Sequence, residues 1–174
     1  LNENFNFSRF DHSFIWLKEA GVALPVYCVQ EPQVPLLLSK ATNLFKLFLS
    51  DVGLLAAMYA DGLQIRILNK ENNINFGSVY ENAVAQELCA HGFEVYYFNN
   101  KKQGELDFVI EFEGEALPLE VKSGKDYTKH RALNHVLESP NYHIQNAIVF
   151  CNENIEVKDQ IFYCPIYLAG LLKK

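Results

Sequence analysis

The sequence predicts an α/β fold built on a mixed sheet, its main part ordered αβββαβ with one further strand, preceded by a smaller helix–strand–strand segment. Three observations predict it. Apolar residues recur at helical spacing in separate stretches, short apolar or alternating runs of strand length lie between them, and the turn Glu113-Gly114 joins two such runs tightly enough for a hairpin.

In chain order, Phe14, Ile15, Leu17 and Lys18 fit a short helix that stops at Gly21. Leu24 to Val29 reads as a strand, Phe45-Lys46-Leu47-Phe48-Leu49 alternates as a second, and Val52 to Tyr59 returns to helix. Helix, strand, strand is the skeleton of a winged helix. The polar, asparagine-rich segment Asn69-Lys70-Glu71-Asn72-Asn73-Ile74-Asn75 marks a boundary, so residues 1–70 are expected as a winged-helix-like linking segment and residues 71–174 as the main domain. Ser78 opens a helix to about His91, with Tyr80, Val84 and Leu88 forming one buried stripe and Gly92 as its stop. Glu94 to Phe98 is then a strand, followed by the hairpin, a helix from about Thr128 to Glu138, the apolar strand Ala147 to Cys151 and a last strand, Ile161 to Tyr167. There are no internal repeats.

At 174 residues and 49% apolar, the chain can bury a core as one domain, with a small second module. No apolar run reaches the roughly eighteen residues of a membrane span, and no basic region followed by a short apolar stretch opens the chain, so a cytoplasmic location is expected. The start at Leu1, followed by Asn2-Glu3-Asn4, suggests a fragment of something longer. Cys28, Cys89, Cys151 and Cys164 are far apart, lack a C-x-x-C pair and lie in apolar runs, which reads as buried, reduced thiols rather than a zinc site. Net charge is −6, with nine Lys/Arg against fourteen Asp/Glu in residues 77–174. A broad basic face for nucleic acid is therefore absent. DNA would have to meet a local patch, either Lys101-Lys102 or the run Lys122, Lys125, Lys129, His130 and Arg131.

The chemistry concentrates in Gly104-Glu105-Leu106-Asp107-Phe108-Val109-Ile110 and Leu119-Glu120-Val121-Lys122-Ser123-Gly124. Glycine in a two-residue turn supplies the positive φ such turns require. If Phe112 pairs with Glu115, the same register sets Asp107 opposite Glu120, with Cβ atoms roughly 4.5–5.5 Å apart. Lys122 then points to the same side. On the other face Leu106, Phe108 and Ile110 oppose Val121, Leu119 and Leu117, all apolar, and a slip of one residue would bury an acid against them. Two carboxylates so close repel, which raises at least one pKa unless a cation neutralises them. Lys122 offsets part of this. A divalent ion would offset more, and hard oxygen ligands suit Mg²⁺ (or Mn²⁺), which activates water and polarises a phosphate. The same alternation would also arise from a solvated surface ion pair, although Val109 and Pro118 lie on the acid-bearing face and imply cover. Glu81 has its own second reading, as the far end of a Ser78-x-x-Glu81 capping box.

Three stretches, Gly77-Ser78-Val79-Tyr80-Glu81-Asn82-Ala83-Val84-Ala85-Gln86-Glu87-Leu88, Gly104 to Ile110, and Leu119 to Lys125, together resemble the nuclease-like domain of the PD-(D/E)xK superfamily. More narrowly, the chain is similar to the domain of unknown function that follows the AAA+ module in a family of bacterial and archaeal ATPases. Phe45 to Leu49 followed by Ser50-Asp51-Val52-Gly53-Leu54-Leu55 shares that likeness, which covers roughly residues 10 to 170. The resemblance implies a restriction-endonuclease-like core with Glu81, Asp107, Glu120 and Lys122 at the catalytic positions, the three acids nearest the metal, and hydrolysis of DNA phosphodiester bonds. It also implies an ATPase module outside this chain, since no G-x-x-x-x-G-K-[ST] occurs to hold ATP. Leu106 stands where the superfamily name has proline.

Two other functions fit parts of the pattern. A non-catalytic DNA-binding or protein-interaction module that targets the ATPase would use Asp11 to Ala20 as a recognition helix, with Lys18 and His12 as donors against Asp11 and Glu19. A carboxylate-pair glycosidase would also place two acids together, but has no call for a lysine between them.

Overall fold

The computed structural model describes residues 11–59, 62–69, 71 and 76–174, except for the side chains of residues 11, 12 and 63. Most of the asparagine-rich boundary, the stretch at Leu1 to Asn4, and the Asp11 and His12 side chains lie outside the described residues. Helix α1 (Asp11–Glu19) leads into strands β1 (Ala23–Val29) and β2 (Lys40–Leu49), joined through a 3-10 turn at Leu36–Ser39. Helices α2 (Val52–Met58) and α3 (Leu63–Leu68) follow. From α4 (Gly77–Ala90) the chain runs through β3 (Tyr96–Asn100), β4 (Gly104–Phe112), β5 (Glu115–Val121), α5 (Arg131–Leu137) and β6 (Ala147–Cys151). It ends with β7 (Glu156–Lys158), β8 (Ile161–Pro165) and a 3-10 helix, Ile166–Leu171. From α4 to β6 this is the expected αβββαβ order.

Among the described residues all eight strands belong to one mixed sheet, ordered β2-β1-β3-β4-β5-β6-β8-β7. The strands expected in a separate winged-helix-like segment instead extend this sheet, because β1 pairs in parallel with β3 through Tyr27↔Tyr96, Cys28↔Tyr97 and Val29↔Phe98. The local pattern revealed the hairpin-like β1–β2 pair but not this partner, since a parallel pairing 69 residues away leaves no local mark. Two further elements are additions: α3, whose six residues give too few turns to show a period, and β7, whose three residues are all exposed.

Strand alternation divides the core into two layers. Phe108, Ile110, Leu117, Leu119, Val121 and Phe150 pack against Val84, Ala85 and Leu88 of α4. Leu106, Val109, Ala116, Ala147, Val149 and Cys151 pack against Leu133 and Val136 of α5 on the other side. Both layers are buried, so both faces of β4 and β5 are covered. Cys28 and Cys151 are buried, while Cys89 and Cys164 are half-buried. Among the described residues no helix is long and apolar enough to cross a membrane.

Helix α4 is fixed to the sheet edge by amides as well as by packing. The buried Asn82 side chain accepts from the Leu49 N–H at 2.8 Å and donates to the Leu49 carbonyl at 2.9 Å, copying a strand pairing where β2 ends. One turn on, Gln86 accepts from the Val52 N–H at 2.9 Å. Asn82→Leu would strand two backbone groups of Leu49, and we expect a loss of about 2 kcal/mol in urea denaturation. Gln86→Leu removes a single partner and should cost less.

Candidate functional site

The Glu113-Gly114 turn has positive φ at both residues, 51° and 83°, as a two-residue hairpin requires. It fixes the expected register, Phe112↔Glu115 through to Phe108↔Leu119. There the ladder stops. Against β3, the pairs Tyr96↔Val109 and Phe98↔Leu106 leave Asp107 and Phe108 together opposite the single residue Tyr97, which is a β-bulge. The bulge corrects one expectation: Leu106 lies on the α5 side rather than with Phe108 and Ile110 on the α4 side. It also lifts Asp107 off the ladder. Rather than continuing as a partner opposite Glu120, its carboxylate accepts the Val121 N–H at 2.8 Å.

Glu120 sits between Leu119 and Val121, which face α4, and its strand neighbour Val149 belongs to the α5 layer. Alternation therefore directs it toward the covered α5 side, where it is only 3% exposed. This burial removes the solvated-ion-pair reading. Lys122 Nζ reaches the Glu120 carboxylate at 2.9 Å, and the Lys122 N–H is held by the Phe150 carbonyl at 2.8 Å. Glu81 lies in the first turns of α4. The capping box does not form: Phe76 is the N-cap without a side-chain bond, and Ser78 is inside the helix with its hydroxyl 2.7 Å from that of Tyr59.

Burial first, and then the charge of Asp107, push the Glu120 carboxyl up to about 8. Glu81 is likewise raised, by burial and then by Asp107, with Lys46 pulling it back. Asp107 thus acts on both acids. Burial draws the Lys122 ammonium down, but Glu120 beside it, with Asp107 and Glu81, carries the net shift upward. Among the described residues no three His, Cys, Asp or Glu side chains gather in a metal-holding arrangement. Asp107 and Glu120 suit a hard cation: two mutually repelling carboxylates in a partly dry setting, at the number Mg²⁺ commonly takes.

The expected nucleic-acid contacts divide. Lys101, Lys102, Lys125, Lys129 and Arg131 are exposed. His130 is withdrawn, being 6% exposed, with Nδ1 2.8 Å from Asn134 Oδ1 and Nε2 2.7 Å from the Tyr163 hydroxyl. Local reading missed Lys46 and Glu105. From β2, Lys46 passes over the Tyr97 ring, 5.0 Å from its centroid, to pair with Glu105 of β4. Only the sheet order brings them together. Lys46 carried one signal, a charge alternating with Phe45 and Leu47 along its strand.

Fold and site define an α/β domain in which a bulged strand and its hairpin partner hold a buried glutamate and a half-buried aspartate beside a lysine. Residues 76–169, more than half of the chain, match the family described as a domain of unknown function (DUF4143), and the chain belongs to that family. The match includes Glu81, Asp107, Glu120 and Lys122. No curated protein and no solved structure matches the chain.

Proposed function

We propose that this domain is a metal-dependent hydrolase of DNA phosphodiester bonds, a PD-(D/E)xK-type nuclease with a restriction-endonuclease-like core. The observation that carries the reading is the grouping of Asp107, Glu120 and Lys122: a buried Glu120 raised to about 8 by burial and by the half-buried Asp107, with a cation 2.9 Å from it. Asp107 and Glu120 would hold Mg²⁺ or Mn²⁺. A divalent ion bound there supplies Lewis acidity toward the phosphate and a more acidic bound water. The β-bulge and the Val121 N–H fix the Asp107 carboxylate, so little reorganisation is left for the reaction. Lys122 holds Glu120 and presents its remaining protons to water or a phosphate oxygen. Glu81 adds negative charge at the α4 end. The resemblance noted above implies an AAA+ module alongside this domain, which would deliver the substrate.

Incubation with supercoiled plasmid and Mg²⁺ or Mn²⁺ tests the activity, and the expected result is nicking that EDTA stops. Binding is tested separately by thermal melting. Ion at about 100 times its Kd stabilises by roughly 2.7 kcal/mol, an upward shift of about 5–10 °C for a chain of this size. No cleavage with either ion, together with no shift, would remove the proposal.

A second reading, a module that binds protein without catalysis, is favoured by α1, where Ile15, Trp16 and Leu17 are exposed, Trp16 at 73%. That surface is apolar and suits protein better than DNA. Retained association with an ATPase in a chain lacking cleavage would favour it.

A further inference from the structure

The two basic stretches expected separately from sequence form one surface. At the start of β4, Gly104 has φ +99°, and a Cβ there would lie 2.9 Å from Ala132 Cβ, so the β3–β4 turn and α5 meet as closely as backbone allows. Gln103 in that turn fixes the contact twice: its carbonyl lies 3.3 Å from His135 Nδ1, and its side chain accepts from the Tyr142 hydroxyl at 2.9 Å. The turn that carries Lys101 and Lys102 thus packs against the start of α5, which carries Arg131. Along α5 and the loop before it lies a cavity of about 470 Å³, with Lys129, Arg131 and His135 on its wall and Glu138 as its acid. His130 also lines the cavity, though it is only 6% exposed. Its bonds to Asn134 and Tyr163 hold the loop that carries Lys125 and Lys129 against β8.

This surface leads to the acid pair. Asp107 is three residues along β4 from Gly104, about 10 Å. On the other side, the lateral pairs Glu120↔Val149 and Val149↔Tyr163 put Tyr163, which anchors His130, two strand spacings from Glu120, again about 10 Å.

We propose that the β3–β4 turn and the start of α5 together bind the phosphate backbone of a single-stranded polynucleotide, leading it to Asp107 and Glu120. The choice of the acid pair as the endpoint rests on the hydrolase reading; the binding surface does not. Among the described residues Lys101, Lys102 and Arg131 form no ion pair, and the Lys129–Asp126 pair is about three-quarters exposed on both sides, so exchanging Asp126 for a phosphate is cheap. A duplex needs a broad cationic face, which a chain of net charge −6 lacks, whereas a narrow basic groove suits a single strand.

The test is fluorescence anisotropy of a labelled oligo-dT of about 12 nucleotides with the full chain in EDTA, over a salt series. Lys101→Gln/Lys102→Gln and Lys129→Gln/Arg131→Gln should each weaken binding about tenfold at low salt and flatten the log K against log salt slope by about 1.4, at ~0.7 per phosphate. The control Lys173→Gln/Lys174→Gln should change neither. No binding by the wild type, equal losses in the control, or tighter binding of a duplex of the same length would overturn the proposal. Binding that persists in a protein that cleaves nothing defeats the hydrolase reading alone and supports this surface.

Discussion

Asp107→Asn is expected to lower metal-dependent plasmid nicking by at least about a hundredfold, the scale seen when one fixed electrostatic group is removed from a reacting centre. Melting should change little. Asparagine keeps an oxygen to accept the Val121 N–H, the one backbone bond that the Asp107 side chain makes at 2.8 Å, so the hairpin keeps its shape. What is lost is the charge that raises both Glu81 and Glu120. Lys122→Met should reduce nicking on a similar scale by freeing Glu120 of its partner, while Glu81→Gln should have a smaller effect, since the ion pair of Lys122 is with Glu120. Initial nicking rates with saturating Mg²⁺ decide the order. Equal rates for Asp107→Asn and wild type would show that the acid pair does not carry the reaction.

The hairpin was legible because its information is local: a glycine turn, two alternating strands, and a register that a one-residue slip would penalise on both faces. Phe112↔Glu115 and Phe108↔Leu119 follow from that alone. The bulge was not legible, because it depends on β3, and nothing in Leu106-Asp107-Phe108 says that Tyr97 will stand opposite two residues rather than one. Yet the bulge is what turns Asp107 away from the ladder. Sequence thus placed the acids in one neighbourhood while missing the device that orients them. The same reason hid the Lys46–Glu105 pair, which spans β2 to β4 across two intervening strands, and the pairing of β1 with β3. Glu81 shows the converse error. Ser78-x-x-Glu81 is a sound local signal for a cap, but the helix starts at Gly77, two residues too early for Ser78 to serve, and Glu81 instead feels the charge of Asp107 and Glu105. The expectation of cover over the hairpin's polar face, drawn from Val109 and Pro118, is met by α5, whose Leu133 and Val136 share a core with Val109.

Without metal, the protein should lose stability as pH rises from about 5 to 8, and Glu120→Gln should abolish most of that slope. In the unfolded chain Glu120 ionises near its ordinary value of 4.5; in the folded chain burial and Asp107 hold it to about 8. Between those values the native state keeps a proton that the unfolded state has released, so the unfolded state gains ground with each step in pH. The contribution is fully present below about 4.5 and is lost as pH rises toward 8. Each pH unit in that window costs up to about 1.4 kcal/mol, enough in sum for a fall in Tm on the order of 10 °C in a chain of this length. A divalent ion reverses the sign. It needs the ionised carboxylate and displaces the proton, so Mg²⁺ should bind up to about tenfold more tightly per pH unit through the same window and restore the melting temperature most at pH 8. Glu120→Gln has no proton to lose there and should show neither the slope nor the pH-dependent gain. Calorimetry of both proteins at pH 5, 6.5 and 8, with and without Mg²⁺, separates these effects from other titrating groups, because only the difference between the two profiles belongs to Glu120. Superimposable profiles would mean that Glu120 ionises normally in the folded chain, and the acid pair would then have no excess charge for a cation to relieve.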